Sequence, residues 1–197
     1  MSDKSIAKRI LELKSKDDLL LQKLLSEGSL SDGYHPELRA LHSENIQAFL
    51  SIWEEYGFPS LSKVGEEAYD AAFIIVQHAI DHPKILKKYR DELFKAAQQG
   101  EAKMMHYAYL SDRIAVFEGR PQTYAIQFDW DEEGLLSPQG SYDSKAVNEK
   151  RAELGLNTIE DQINIMRERA RKTGQKPPEN WHAKQVTYDA WRKEVGW

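Results

Sequence analysis

Hydrophobic positions recur along most of this chain at intervals near 3.6 residues, the signature of helices with one buried face. A Leu-rich amphipathic helix is predicted over residues 5–25, closed by the turn-forming "EGSLSDG". A second is expected from Pro36, a residue suited to a first helical turn, to Tyr56, where "GFP" breaks the pattern. The third starts near Gly65 and ends between Ile80 and His82, because the residue before Pro83 is pushed out of the helical region. Pro83 then opens a fourth helix that stops at "QQG", and a fifth covers residues 102–118 before "GRP" ends it. The pattern changes there. "TYAIQFDW", the acidic turn "DEEG" and "LLSPQ" predict a β-hairpin near residues 123–138. A short helix beyond Ser144 ends at Gly155, another follows Thr158 with Asp161 placed as in a capping box, and a last one runs from Pro177-Pro178 to Val195.

These elements predict a mainly α fold: a multi-helix orthogonal bundle with a small β-hairpin. A helical core over residues 1–140 is expected to carry a C-terminal helical segment, 141–197, the two forming one domain. The turn residues of "SPQGSYD" mark the soft boundary near residues 139–143. Trp181, Tyr188 and Trp191 make one apolar seam on the last helix, which favours packing onto the core over capture of a partner helix.

Polar residues intrude on the apolar faces. At 100° per residue, Leu38, Leu41, Phe49, Ile52, Trp53 and Tyr56 form one stripe of the second helix, with His42 and Asn45 inside it. In the third, Ala68, Ala72, Ile75, Val76 and Ala79 supply the apolar sector, flanked by His78 on one border and Gln77 on the other. In the fifth, Asp112 falls amid Met105, Ala108, Tyr109 and Val116, with Arg113 on the adjoining side. A buried carboxylate needs donors or a shifted pKa. Convergence of these groups on a shared interior is how helix bundles build ligand sites. For any single residue, a satisfied core position is the stronger reading; for the set together, a site is.

Composition narrows the class. The 197 residues are 41% hydrophobic and 30% charged, with five Trp and nine Tyr, so the chain is expected to fold. The absence of Cys excludes disulfides, thiolate metal sites and a cysteine nucleophile, and favours a cytoplasmic address. "MSDKSIAKRI" lacks the apolar core of a secretory signal, and the longest apolar run, "AAFIIV", is far short of a membrane span, so a soluble protein without membrane contact is expected. Net charge is −5, and the basic clusters "KILKKYR" and "RERARK" have acidic neighbours and read as solvated helix faces, so no nucleic-acid partner is expected. A homo-oligomer stays open.

Several motifs fall short of a mechanism. His78 and His82 have the i, i+4 spacing of helical metal ligands, but Pro83 ends the helix and no Glu follows His78, so no metal and no cofactor is assigned. "DWDEEG" begins like a calcium loop, yet Gly140 occupies the position of the bidentate Glu, and a solvated hairpin turn is expected. In "GRPQTYAIQ", Gln122 and Tyr124 would share one side of an extended strand, opposite Thr123, Ala125 and Gln127, with Arg120 near enough to hold an anion.

"GYHP" followed by His42 and Asn45, then "YGFP", "VGEEA", "QHA", "AYLSDR" and "EGRPQTYAIQF", occur in an order that resembles the bacterial DUF6624 family, whose members are domains of unknown function. The resemblance spans roughly residues 33–128. Members typically carry Trp at Phe58 and Gly-Thr at Ala125-Ile126, and the second departure weakens the case for a tight backbone-binding loop there. The family supplies no activity, but its polar motif residues coincide with those found by helical geometry.

The resulting expectation is a cytosolic enzyme acting on a small polar or anionic molecule. His78 would be general acid or base, since an imidazole titrates near neutral pH, and Asp112 would orient it. Arg113 and Arg120 would hold negative charge, and His42, Asn45, Gln77, Gln122 and Tyr124 would shape the pocket. The alternative is a non-catalytic binding or interaction protein whose polar core is structural, and a metal-dependent hydrolase built on His78 is the third option.

Overall fold

A computed structural model describes residues 3–29 and 34–197. The centre of the "EGSLSDG" turn and Gly33 of "GYHP" lie outside the described residues. The architecture is mainly helical with one small antiparallel hairpin, and the chain divides into two compact units, Met1–Lys103 and Met104–Trp197.

The first unit holds α1 (Asp3–Ser26), α2 (Pro36–Tyr56), α3 (Leu61–Val64), α4 (Glu66–His78) and α5 (Pro83–Gln98). Alternating steps of four and three residues put Ile6, Ile10, Leu13 and Asp17 on one stripe of α1, all buried against α2 and α4. Each fully buried aliphatic side chain contributes about 1.5–3 kcal/mol relative to exposure. At the other end of α2, Trp53 meets Tyr89 of α5 edge-on at 5.5 Å between centroids, and Phe49 meets it at 6.0 Å. The sequence pattern misses α3. Gly65, at φ 79°, closes α3 and starts α4 in a left-handed conformation that suits glycine. Helix α4 ends at His78, earlier than the predicted range of 80–82, because Ala79 leaves helical geometry and residues 79–82 form a tight turn before Pro83 opens α5. His78 and His82 therefore do not share a helix.

The second unit holds α6 (Met104–Phe117), β1 (Phe128–Trp130), β2 (Leu136–Pro138), α7 (Ser144–Glu153), α8 (Ile159–Thr173) and α9 (Trp181–Val195). The side chains of Asp143, Thr158 and Asn180 each accept a backbone N–H three residues on, fixing the starts of the last three helices. Asn180 therefore starts α9 a few residues after the Pro pair that was expected to open it. In the hairpin Asp129 faces Ser137, and Asp131 accepts bonds from the Leu135 amide and the Ser137 hydroxyl, so "DWDEEG" is the expected turn. Arg167 of α8 donates to the Leu136 carbonyl and the Ser137 hydroxyl. Those two bonds tie β2 to α8, and the division between units falls at Lys103, not at the turn at 139–143. The aromatic seam of α9 packs within this unit: Trp191 meets Phe117 at 5.3 Å, and Trp181 donates to the Trp130 carbonyl.

The strands are shorter than predicted. Residues 122–127 form no strand, because Asp112 takes the backbone N–H groups that a neighbouring strand would need. Ala125 there has φ 52°, a left-handed conformation unusual for a residue with a Cβ.

Candidate functional site

The polar residues that the sequence turns inward sort into two sets, one in each unit. In the first, the centre is Asp17, which is 2% exposed. Its Oδ1 lies 2.9 Å from His42 Nε2, and its Oδ2 lies 2.6 Å from His78 Nδ1. The two rings lean together with centroids 4.7 Å apart. Tyr34 completes the chain: its hydroxyl is 2.6 Å from His42 Nδ1 and donates to the His78 carbonyl at 3.2 Å. Helix α2 supplies the remaining contacts from one face, since Arg39, His42 and Ser43 are three and four residues apart. Arg39 pairs with Asp81, and Ser43 Oγ lies 3.2 Å from His82 Nε2. The early end of α4 is what brings residues 78–82 across this face.

Electrostatics agree with the geometry. Burial opposes the charge on Asp17, but hydrogen bonds from His42 and His78 and their charges outweigh it and hold the carboxyl well below the usual carboxylate range. Burial pushes the Tyr34 hydroxyl up, and the Asp81 charge adds to the shift. His42 is buried, whereas the His78 side chain is 34% exposed. With Nδ1 held by Asp17, His78 Nε2 has no hydrogen-bond partner among the described residues. Asn45 and Gln77 are buried beside this cluster on α2 and α4, and Asn45 donates to the Leu13 carbonyl one turn before Asp17. A groove of about 450 Å³ runs along α1 and α4, with Leu11, Ser15, Ala71 and Ile74 among its walls. Ile74 precedes His78 by one turn.

In the second unit, Asp112 is fully buried and accepts the amides of Thr123 at 2.8 Å, Tyr124 at 3.1 Å and Ile126 at 3.0 Å. Burial raises its carboxyl above the usual range, while those amides pull the other way. Gln122 clamps the same loop, donating to the Gln127 and Gln139 carbonyls and accepting the Gln127 amide. Arg151 of α7 holds the loop from the far side, donating to the Tyr124 carbonyl and to Asn157. The Tyr124 side chain is itself buried, which raises its hydroxyl. Arg113 is half-buried, and desolvation lowers its guanidinium from its usual value. Arg120 is exposed and paired with Glu118.

The expected partnership of His78 with Asp112 is thus replaced. Asp17 holds His78, and the bonds of Asp112 go to its own loop. Asp17, Tyr34 and Arg151 were missed. The signal for Asp17 lay in the α1 stripe itself, where it continues the spacing of Ile6, Ile10 and Leu13 as an acid among aliphatic residues. Arg151 follows the buried Val147 by one turn, the same kind of signal.

The profile of the Family of unknown function (DUF6624) matches residues 18–173, and the chain belongs to that family. No curated protein and no solved structure matches it. No helix among the described residues is long and apolar enough to cross a membrane.

Proposed function

We propose that the first unit carries the site of an enzyme acting on a small polar or anionic molecule, with His78 meeting the ligand and Asp17 orienting it. One observation carries this reading: a buried carboxylate grips two imidazoles, and one of them keeps a nitrogen turned to solvent. An ionised carboxylate is expensive to bury. A purely architectural use would favour partners that saturate on both sides, as the amides do around Asp112. Asp17 instead fixes the ring of His78 while leaving its second edge available. The tight Arg39–Asp81 and Ser43–His82 pairs beside it supply further polar groups for recognition. The cytosol is the compartment proposed, from the absence of Cys.

The test is a panel of small polar and anionic compounds followed through the imidazole NMR signals. A compound of the right class shifts the His78 signals in the natural protein, and binding is lost in His78→Gln and Asp17→Asn while circular dichroism is retained. The competing reading, a non-catalytic interaction protein with a structural polar core, requires that no compound moves those signals and that both substitutions only lower the melting temperature.

A further inference from the structure

The hydrogens of the Asp17 cluster do not add up if both imidazoles are neutral and every contact is a hydrogen bond. Tyr34 has a single hydroxyl hydrogen, and the His78 carbonyl, which can only accept, lies 3.2 Å from it. If that hydrogen goes to the carbonyl, the 2.6 Å contact between Tyr34 and His42 Nδ1 requires Nδ1–H as the donor. His42 Nε2 then presents a lone pair to Asp17 Oδ1 at 2.9 Å, in a position that is nearly free of solvent. Two facing lone pairs need a positive centre between them. Three arrangements resolve this: Tyr34 gives its hydrogen to His42 Nδ1 and leaves the longer carbonyl contact unmade, His42 carries a second proton, or a metal ion sits between the donors.

We propose that Asp17, His42 and His78 hold a divalent transition-metal ion of the zinc class, with a remaining coordination position open to an anionic ligand or water; this deepens the reading of the site given above and rests on it. One donor atom from each residue lies within 4.8 Å of the other two. Two imidazole nitrogens and a carboxylate oxygen are a donor set that zinc accepts, and three protein ligands leave the fourth tetrahedral position free. Ligation by neutral rings also places every hydrogen. His42 binds through Nε2 and its Nδ1–H donates to Tyr34, which donates in turn to the His78 carbonyl. His78 binds through Nδ1, and its Nε2–H faces the exposed side. Metal-bound histidines are held in just this way by a bond at the second nitrogen, and Tyr34 is that partner for His42. The distances of 2.9 and 2.6 Å from Asp17 to the two rings would open by roughly 0.4–1 Å, since tetrahedral donors about 2.0–2.2 Å from one ion stand about 3.3–3.6 Å apart.

The charge balance identifies the class of ligand. A divalent ion with one carboxylate leaves the site with a net positive charge, which draws a carboxylate, phosphate or similar anion to the open position. Such an ion polarises a bound oxygen and supplies the reactive centre that the imidazole alone would otherwise have to provide.

The experiment is isothermal titration of the full chain, purified without a polyhistidine tag and stripped with chelator, with zinc chloride. The absence of Cys removes thiolates as competing ligands. Binding saturates at one ion per chain and raises the melting temperature. His42→Gln and Asp17→Asn weaken it by at least about 100-fold, Tyr34→Phe weakens it by about 10- to 100-fold, and His182→Gln leaves it unchanged. If Asp17→Asn or His42→Gln fails to fold, His78→Gln, at the partly exposed edge, makes the same measurement. No saturable binding by the natural protein, or binding undiminished in His42→Gln and His78→Gln, overturns the proposal. Failure of the two readings is separable. A protein that takes no zinc yet loses its small-molecule ligand in His78→Gln keeps the site and loses the metal, while one that binds zinc through these residues and no small molecule keeps the metal and loses the enzyme.

Discussion

Replacing Asp112 with Asn gives the sharpest test of how the second unit is held. The change is nearly isosteric and removes one acceptor oxygen. In the natural protein Oδ1 accepts the amides of Thr123 and Tyr124, and Oδ2 accepts those of Tyr124 and Ile126, at 2.8–3.1 Å, with no solvent contact. With Asn, an NH₂ group must face either the Thr123 or the Ile126 amide. One buried backbone donor is then left unsatisfied, at about 1–3 kcal/mol, and the remaining bonds lose their assistance from charge. The sum is about 3 kcal/mol, or about a hundredfold in an equilibrium constant. Guanidinium unfolding should show this loss. Hydrogen exchange should show the amides of Thr123, Tyr124 and Ile126 opening about a hundred times more readily, with the amides of α1 and α2 unaffected. A loss below about 1 kcal/mol with unchanged protection at those amides would refute the reasoning and return Asp112 to the list of groups available for chemistry.

Four further substitutions probe the same unit. Ala125→Val places a β-branched residue at φ 52° in the small core with Val147 and Ile159, and should lose at least about 2 kcal/mol; Ala125→Gly exchanges strain relief for a lost methyl contact and should stay within about 1 kcal/mol of neutral, both read by thermal melts. Arg151→Lys cannot reproduce three bonds from one planar fork to the Asn157 carbonyl, the Asn157 side chain and the Tyr124 carbonyl, and should lose about 2–4 kcal/mol in denaturant titration. Trp191→Ala removes the edge-on contact with Phe117 and should lose about 2–3 kcal/mol, with increased exchange across α9.

Helix positions were legible because each amphipathic segment carries its own period and its own stop signal. Thus α2 begins at Pro36 and ends at Tyr56, before Gly57, and α8 follows Thr158 where the sequence puts it. What was not legible depends on contacts distant in sequence. Alternation in "QTYAIQ" reads as a strand, but a strand needs a partner for its amides, and Asp112 on α6 had already taken them. The end of α4 was misplaced by a few residues because the proline rule locates the break and says nothing of the turn that precedes it. Inward-facing polar residues were found on α2, α4 and α6 by counting at 100°. The same count on α1 reaches Asp17, which went unnoticed because the two-His cluster that explains it is assembled from three helices.

The two buried aspartates show why inward polarity locates a candidate without assigning its role. Asp112 and Asp17 are equally inaccessible, and either could be named from its place on an apolar stripe. Their partners separate them. The partners of Asp112 among the described hydrogen bonds are main-chain amides, which neither titrate nor exchange ligands, so its free energy goes into the shape of one loop. Asp17 binds imidazoles, groups that can trade a proton or an ion at the same nitrogen, and one of those rings reaches solvent. A carboxylate in the first setting resists substitution through stability alone. In the second it is also placed to influence what its neighbours bind, which is why the proposed site is built on the acid hidden in the first helix and not on the one the sequence made most conspicuous.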